Sequence, residues 1–228
     1  MGPTTGLMVV HLGVKIYGAP NILRLKEACE KFTTDENQLV YISPIGSHSE
    51  AIFMLLSTDL VAIKKFQRDI LSNGFSLEFS YVSITEVSEY AQFMPDHLKN
   101  TRLYPKLPPV GFNSWCFYPM SKRRNKSYNW YLLDYEARDQ LMRSHGKVGR
   151  KFAGKVVQLV TGSTGIDDFE WGVTLFAKTP SDLKEVVYEM RYDEASAKYA
   201  EFGEFIFGFV VNSYEDLIEL NGWATIVS

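Results

Sequence analysis

Leu7-Met8-Val9-Val10-His11-Leu12-Gly13-Val14-Lys15-Ile16-Tyr17 is apolar and rich in strand-forming residues, and it predicts a β-strand. Outward from it the elements alternate. Ala19-Pro20-Asn21 supplies turn and cap chemistry, and Ile22 to Phe32 has helical spacing. Leu39 to Pro44 and Ala51 to Leu56 read as short strands separated by Gly46-Ser47. Asp59 can cap a second helix whose apolar side is Val61, Ile63, Phe66 and Ile70; Asn73-Gly74 ends it. Ser76 to Ile84 resumes a strand, completing the order βαββαβ.

The second half repeats that order. Asn113 to Met120 predicts a strand, and Asp134 caps a helix running to about Val148. Lys155 to Val160 and Asp168 to Ala177 predict two strands. Thr179-Pro180-Ser181-Asp182 opens a helix, with Pro180 in the tolerated first turn. Glu204 to Val211 is the last strand, and Tyr214 to Leu220 a short closing helix. Ser88 to Pro109 is less patterned and carries Pro95, Pro105, Pro108 and Pro109, which fits a linker. The expected fold is α+β: tandem ferredoxin-like βαββαβ domains of the dimeric α+β barrel type. The expected division is 1–110 for the N-terminal domain with its linker and 111–228 for the C-terminal domain.

With 228 residues, 46% of them hydrophobic, the chain can bury one large core or two small ones. A net charge of −3 gives no global attraction to nucleic acid or anionic membrane, despite the basic run Lys122-Arg123-Arg124. Cys29 and Cys116 form no CxxC pair, so a zinc ribbon or thioredoxin motif is excluded, and free buried thiols are expected. No apolar run approaches about 18 residues, so no membrane span is expected. Met1-Gly2-Pro3 starts no secretory signal, and the expected location is cytoplasmic.

Gly149-Arg150-Lys151-Phe152-Ala153-Gly154-Lys155 matches most of a P-loop, but Val156 stands where the magnesium-binding hydroxyl belongs. The segment also follows a helix and precedes a strand, so it reads as a connection. Gly162-Ser163-Thr164-Gly165 reads as a hairpin connection. On a strand, Asp168 and Glu170 would share one face and Asp167 the other; with no histidine nearby they make a poor metal site.

His11, His48, His97 and His145 show no HxH or HExxH spacing. His145 shares a helix face with Leu141 and Val148. A histidine there is either a hydrogen-bonded boundary residue or a single metal ligand, and a single ligand suits a haem iron, whose equatorial ligands come from the porphyrin. Tyr118 and Lys122, four apart, are either a solvated pair or an oxidisable hydrogen-bond donor beside a cation that can hold a porphyrin carboxylate.

Cys116-Phe117-Tyr118-Pro119-Met120-Ser121-Lys122-Arg123-Arg124 and Asn129-Trp130-Tyr131 resemble the coproheme decarboxylases of the chlorite dismutase-like superfamily. So do Arg143-Ser144-His145-Gly146, Gly154-Lys155-Val156, Glu170-Trp171-Gly172-Val173-Thr174-Leu175-Phe176, Val187-Tyr188-Glu189-Met190-Arg191 and Ala200-Glu201-Phe202-Gly203. The resemblance covers nearly all of Phe117 to Gly208. Before it, it rests on element order and Arg102-Leu103-Tyr104-Pro105.

This resemblance implies a homopentamer with haem in the C-terminal domain. It places His145 as the proximal iron ligand, and Tyr118 as the tyrosine that becomes a radical and attacks a propionate. Lys122 would assist at the second propionate, and Gln158 would be the distal glutamine. Arg102, Arg191 and Ser196 would hold or neighbour the propionates, with Met120 and Trp130 lining the pocket. The implied reaction uses hydrogen peroxide to convert two propionates of Fe-coproporphyrin III (coproheme) to vinyl groups, giving haem b, while the protein orients the porphyrin and tunes its iron. The rival readings are a chlorite dismutase-type or peroxidase-type haem enzyme, and a non-catalytic haem-binding or regulatory barrel. Chlorite dismutases place arginine, a fixed cation suited to an oxyanion, where Gln158 stands.

Overall fold

The computed structural model describes residues 3–91 and 93–223. Its first half begins with β1 (Thr4–Ile16). Asn21 Oδ1 then accepts from the Arg24 N–H and opens α1 (Ile22–Phe32), which buries Leu25, Ala28, Cys29 and Phe32. That i, i+3, i+4, i+7 stripe contributes roughly 2 kcal/mol for each large apolar side chain covered. After β2 (Gln38–Ile45) and β3 (Ala51–Ser57), Asp59 accepts from the Val61 and Ala62 N–H groups and caps α2 (Leu60–Leu71). Gly74 turns the chain into β4 (Phe75–Val87) at φ +88°, where a Cβ would lie 2.7 Å from the Ala19 carbonyl oxygen. The stretch expected to be linker holds α3 (Asp96–Leu103), which buries Leu103.

The second half contains β5 (Ser114–Lys122), α4 (Tyr135–Arg150), β6 (Val156–Gly162), β7 (Trp171–Ala177) and α5 (Pro180–Met190). Then follow α6 (Glu194–Tyr199), β8 (Ala200–Phe202), β9 (Ile206–Val211) and α7 (Tyr214–Leu220). The expected strand from Asp168 is shorter: residues 163–170 form a loop. The Ser163 N–H donates to the Glu170 carbonyl at 2.8 Å, and the Ser163 carbonyl accepts from Ile166 and Asp167. The Asp167 carboxylate accepts from the Val82 and Asp168 N–H groups. These acidic side chains therefore fasten a turn and do not alternate across a strand.

Both halves carry the same strand order. In the first, β4, β1, β3 and β2 are neighbours; in the second, β6, β7, β5 and β9 are. The halves join twice, through β2–β9 from Tyr41↔Val211 to Ile45↔Phe207, and through β4–β6 at Ile84↔Gly162 and Thr85↔Thr161. Eight antiparallel strands thus close on themselves, and β8 extends the end of β5. Closure removes the exposed edges that each half alone would present.

The central strands are buried on both faces, so side-chain alternation sorts them into separate cores. Val9, Ile52, Met54, Trp115, Phe117 and Phe176 fill the barrel interior. Val10, Leu12, Phe53 and Leu55 face outward under α1 and α2. Cys116, Tyr118, Val173, Leu175 and Ala177 face outward on the second half, covered in part by Leu183 and Val186 of α5. Among the described residues no helix is long and apolar enough to cross a membrane.

Candidate functional site

The site begins with the outward face of β5. Trp115 and Phe117 point into the barrel, so alternation sends Cys116, Tyr118, Met120 and Lys122 to the other side. On β7, Val173 pairs with Tyr118 and Leu175 with Cys116, and on β6 Gln158 pairs with Leu175. Gln158 is exposed on this face. It lies two strands across and one step along from Tyr118, about 12 Å by ordinary strand spacing.

The Tyr118 ring is stacked on Phe205 at 4.3 Å between centroids and meets the edge of Phe202 at 5.6 Å. Its hydroxyl has no hydrogen-bond partner among the described residues. Burial pushes its pKa up, so the phenol keeps its proton. Lys122 is buried as well. Its ammonium donates to the Ala195 carbonyl at 3.1 Å and lies 4.3 Å from the centre of the Trp130 ring. Burial pulls the Lys122 pKa down to about 8, against the opposing pull of Asp193 and Glu170. Glu170, 6% exposed, fixes the strand end by accepting from the Lys122 backbone N–H at 2.8 Å and pairing with Arg124.

Facing this sheet is α4, capped by Asp134, whose carboxylate accepts from the Ala137 N–H at 2.7 Å. Among helices of eight or more described residues, α4 alone has no buried side chain. It leans on α5 and α6, whereas α5 itself packs on β5, β6 and β7. The amphipathic face bearing Leu141, His145 and Val148 is only half-buried, so no described element covers it fully.

His145 is the organised group on that face. Its Nδ1 lies 2.8 Å from Asp193 Oδ2, and that carboxylate side chain is 1% exposed. Asp193 caps α6 and also accepts from the Ser196 N–H at 3.2 Å; the Ser196 hydroxyl is 3.5 Å from His145 Nδ1. A carboxylate acceptor at Nδ1 selects the tautomer with its proton there and leaves the Nε2 lone pair free. Burial pulls the His145 pKa down, Asp193 pushes it up, and burial prevails, so the ring is neutral at neutral pH.

Lys122, Trp130, His145 and Ser196 are therefore brought together, with Tyr118 and Met120 next along β5 and Gln158 on the same sheet face. Arg191 ends α5, exposed, with its guanidinium 6.0 Å from the Tyr188 ring centre. Arg102 is exposed on α3, which packs on β4 and β1, and it forms no ion pair among the described residues. Sequence reading did not single out Asp193, and it offered Glu170 only as a poor metal ligand. For Asp193 a signal existed: Asp193-Glu194-Ala195-Ser196 is an N-cap with an acidic first turn.

An iron porphyrin asks for an axial imidazole, an apolar wall and cations for its carboxylates. The free Nε2 of His145, the half-buried Met120 beside Tyr118, and Lys122 with Arg191 suit those demands. Asp193 Oδ1, buried without a partner among the described residues, completes a carboxylate behind the imidazole, the usual outer partner of an iron-binding histidine.

Comparison with known proteins agrees with this chemistry. The family model described as chlorite dismutase matches residues 21–211. A coproheme decarboxylase of Staphylococcus saprophyticus is 50% identical over 188 residues, which cover 77% of this chain and 74% of that protein. One from Staphylococcus carnosus is 53% identical over 140 residues, covering 58% of this chain and 55% of that protein. A heme-binding protein from Thermus thermophilus superposes with a TM-score of 0.86 at 28% identity over 96% of both chains. Chlorite dismutase from Candidatus Nitrospira defluvii in complex with imidazole gives a TM-score of 0.77 at 15% identity over 95% of each chain, a likeness of fold alone.

Proposed function

Because this chain belongs to the chlorite dismutase family, we propose that it is a coproheme decarboxylase, converting two propionates of Fe-coproporphyrin III to vinyl groups. The observation that carries this reading is the β5 face. It sets Tyr118, Met120 and Lys122 in one line beside the helix that bears a carboxylate-backed histidine. For each propionate, the carboxylate side chain, one hydrogen peroxide and one proton give a vinyl group, carbon dioxide and two waters. The iron porphyrin, when bound, reduces the peroxide and so supplies the oxidising equivalents.

The chain's residues do the rest. His145 would hold the iron through Nε2; burial keeps the imidazole neutral, and Asp193 keeps it oriented and basic. Tyr118 yields its hydroxyl hydrogen to the oxidation, then takes a hydrogen from the propionate beside it. Loss of carbon dioxide and of a second electron leaves the vinyl group. Phe202 and Phe205, packed on the Tyr118 ring, are hard to oxidise and keep the reactive state on the phenol. Lys122 orients a carboxylate by charge, and Met120 and Trp130 close the pocket around the reacting chains. Arg191, Ser196 and Arg102 steady the remaining carboxylates. Gln158, a neutral amide on β6, offers a bound oxidant a hydrogen bond without the fixed cation that chlorite chemistry favours.

Residues 111–228 form the haem-binding half in this reading, and residues 1–110 complete the barrel behind it. We infer a cytoplasmic homopentamer, for which light scattering gives about five times 26.0 kDa. The function is tested by Tyr118→Phe, which keeps the ring packing and removes the oxidisable O–H. The variant binds coproheme but forms no haem b on peroxide addition. Haem b formation at the wild-type rate overturns the assignment. Rapid oxygen release from chlorite with coproheme left intact would favour the dismutase reading instead.

A further inference from the structure

Two oxidisable rings stand at the pocket, and their surroundings differ. Among the described residues the ring contacts of Tyr118 are two phenylalanines, Phe202 and Phe205. Trp130, 4% exposed, touches Tyr199 at 5.4 Å between centroids, and Tyr199 in turn touches Tyr128 at 6.1 Å. Both contacts fall within the usual range for packed aromatic rings. Tyr128 is 41% exposed, so the row runs from the buried site to solvent.

The row is rigidly mounted. The Trp130 N–H donates to the Arg123 carbonyl at 3.0 Å, and the Arg123 N–H donates to the Tyr199 carbonyl at 2.8 Å. Asn125 Oδ1 accepts from the Tyr128 N–H at 2.7 Å and fixes the outer end. At the inner end, the Lys122 ammonium lies 4.3 Å from the centre of the Trp130 ring. A cation there makes a positive charge on the indole unfavourable and drives it outward, away from the lysine.

We propose that Trp130, Tyr199 and Tyr128 form an escape route, carrying oxidising equivalents from the pocket to the surface when no propionate is there to consume them. The inference rests on the decarboxylase reading, since the oxidant is a peroxide-oxidised iron porphyrin. That oxidant takes one electron from the Trp130 indole. Tyr199 refills the indole with an electron and releases its hydroxyl proton, becoming a phenoxyl. Tyr128 restores Tyr199 by giving up an electron and a proton. The sum is one reducing equivalent delivered to the porphyrin, one O–H bond broken at Tyr128, and one proton released to water. Tyr118, walled by phenylalanines, keeps its own oxidising equivalent for the substrate.

The test uses the protein loaded with haem b, treated with peroxide and a nitroso spin trap, then digested and mapped by mass spectrometry. Wild type carries the trap adduct on Tyr128. Tyr199→Phe keeps the packing but breaks the relay, so the Tyr128 adduct falls about tenfold, one decade in rate. Oxidised Trp130 rises in its place. Tyr128→Phe moves the adduct to Tyr199 and checks the route should the first variant fold poorly. Both variants still convert coproheme to haem b. An unchanged Tyr128 adduct in Tyr199→Phe, or none in a wild type that makes haem b, overturns the route and leaves the decarboxylase reading standing. A wild type that neither makes haem b nor carries any adduct overturns both.

Discussion

Replacing Asp193 by Asn isolates the charge behind the imidazole. The carboxylate side chain is 1% exposed and accepts from His145 Nδ1 at 2.8 Å and the Ser196 N–H at 3.2 Å. Asparagine caps helices as well as aspartate, so α6 keeps its start. The new amide nitrogen can occupy the place of Oδ1, which has no partner among the described residues. What disappears is the charge on the Nδ1 hydrogen bond, and losing such outer partners costs roughly 10–100-fold in metal affinity, about 1.4–2.7 kcal/mol. Titration of the apoprotein with ferric porphyrin, followed at the Soret band, reads this directly. The pH dependence adds a sign. Burial already lowers the His145 pKa and Asp193 opposes it, so removing the charge lowers that pKa further. Protonation competes with iron only below the pKa. The variant therefore binds more weakly at neutral pH, yet its acid limb of affinity loss moves to lower pH. Affinity within about twofold of wild type, where an outer partner is expected to cost tenfold or more, refutes the reasoning.

Lys122→Ala is expected to stall conversion at the three-propionate stage, and in wild type the second decarboxylation slows as pH rises through about 8, where the buried ammonium loses its proton; product ratios by chromatography check both. His11 lies fully buried in the barrel, with Nε2 3.3 Å from Thr174 Oγ1 and Nδ1 without a partner among the described residues; burial lowers its pKa from 6.5 to about 3. The unfolded chain takes up that proton first, so stability falls as pH drops from 6.5 towards 3, by up to roughly 5 kcal/mol. His11→Leu should flatten that limb in urea midpoints measured against pH, and an unchanged acid slope rejects the assignment. At Gly162 an added Cβ would collide with the Glu86 carboxylate, which accepts from the Trp171 indole N–H at 3.0 Å. Because the atoms met are the mobile end of the Glu86 side chain, Gly162→Ala should cost less than about 1 kcal/mol yet swing the carboxylate off Trp171 and shift its fluorescence; unchanged fluorescence rejects the contact.

The local elements were legible because caps and periodicity are local. Asp59, Asp134 and Thr179 each cap the helix they announce, and Ile22–Phe32 buries the stripe its spacing predicts. Helix α3 escaped because its apolar residues are sparse and only Leu103 is buried. Helix α6 and strand β8, six and three residues long, are too short to show a period. The double join of β2 to β9 and β4 to β6 could not be read, because alternation says which face is buried but not which distant strand lies alongside. The same limit governs the site. Tyr118 and Lys122 share a face because four is even on a strand, whereas the bond from His145 to Asp193 spans 48 residues of sequence. No local pattern encodes that meeting.

The central claim is that this chain strips two carboxyl groups from a bound porphyrin. Mass spectrometry of the porphyrin after stepwise peroxide addition to the coproheme-loaded protein tests it most directly. Wild type should give a three-propionate intermediate and then haem b, and Tyr118→Phe should keep coproheme intact. Coproheme recovered intact from wild type after excess peroxide, with its iron still held by His145, would contradict it.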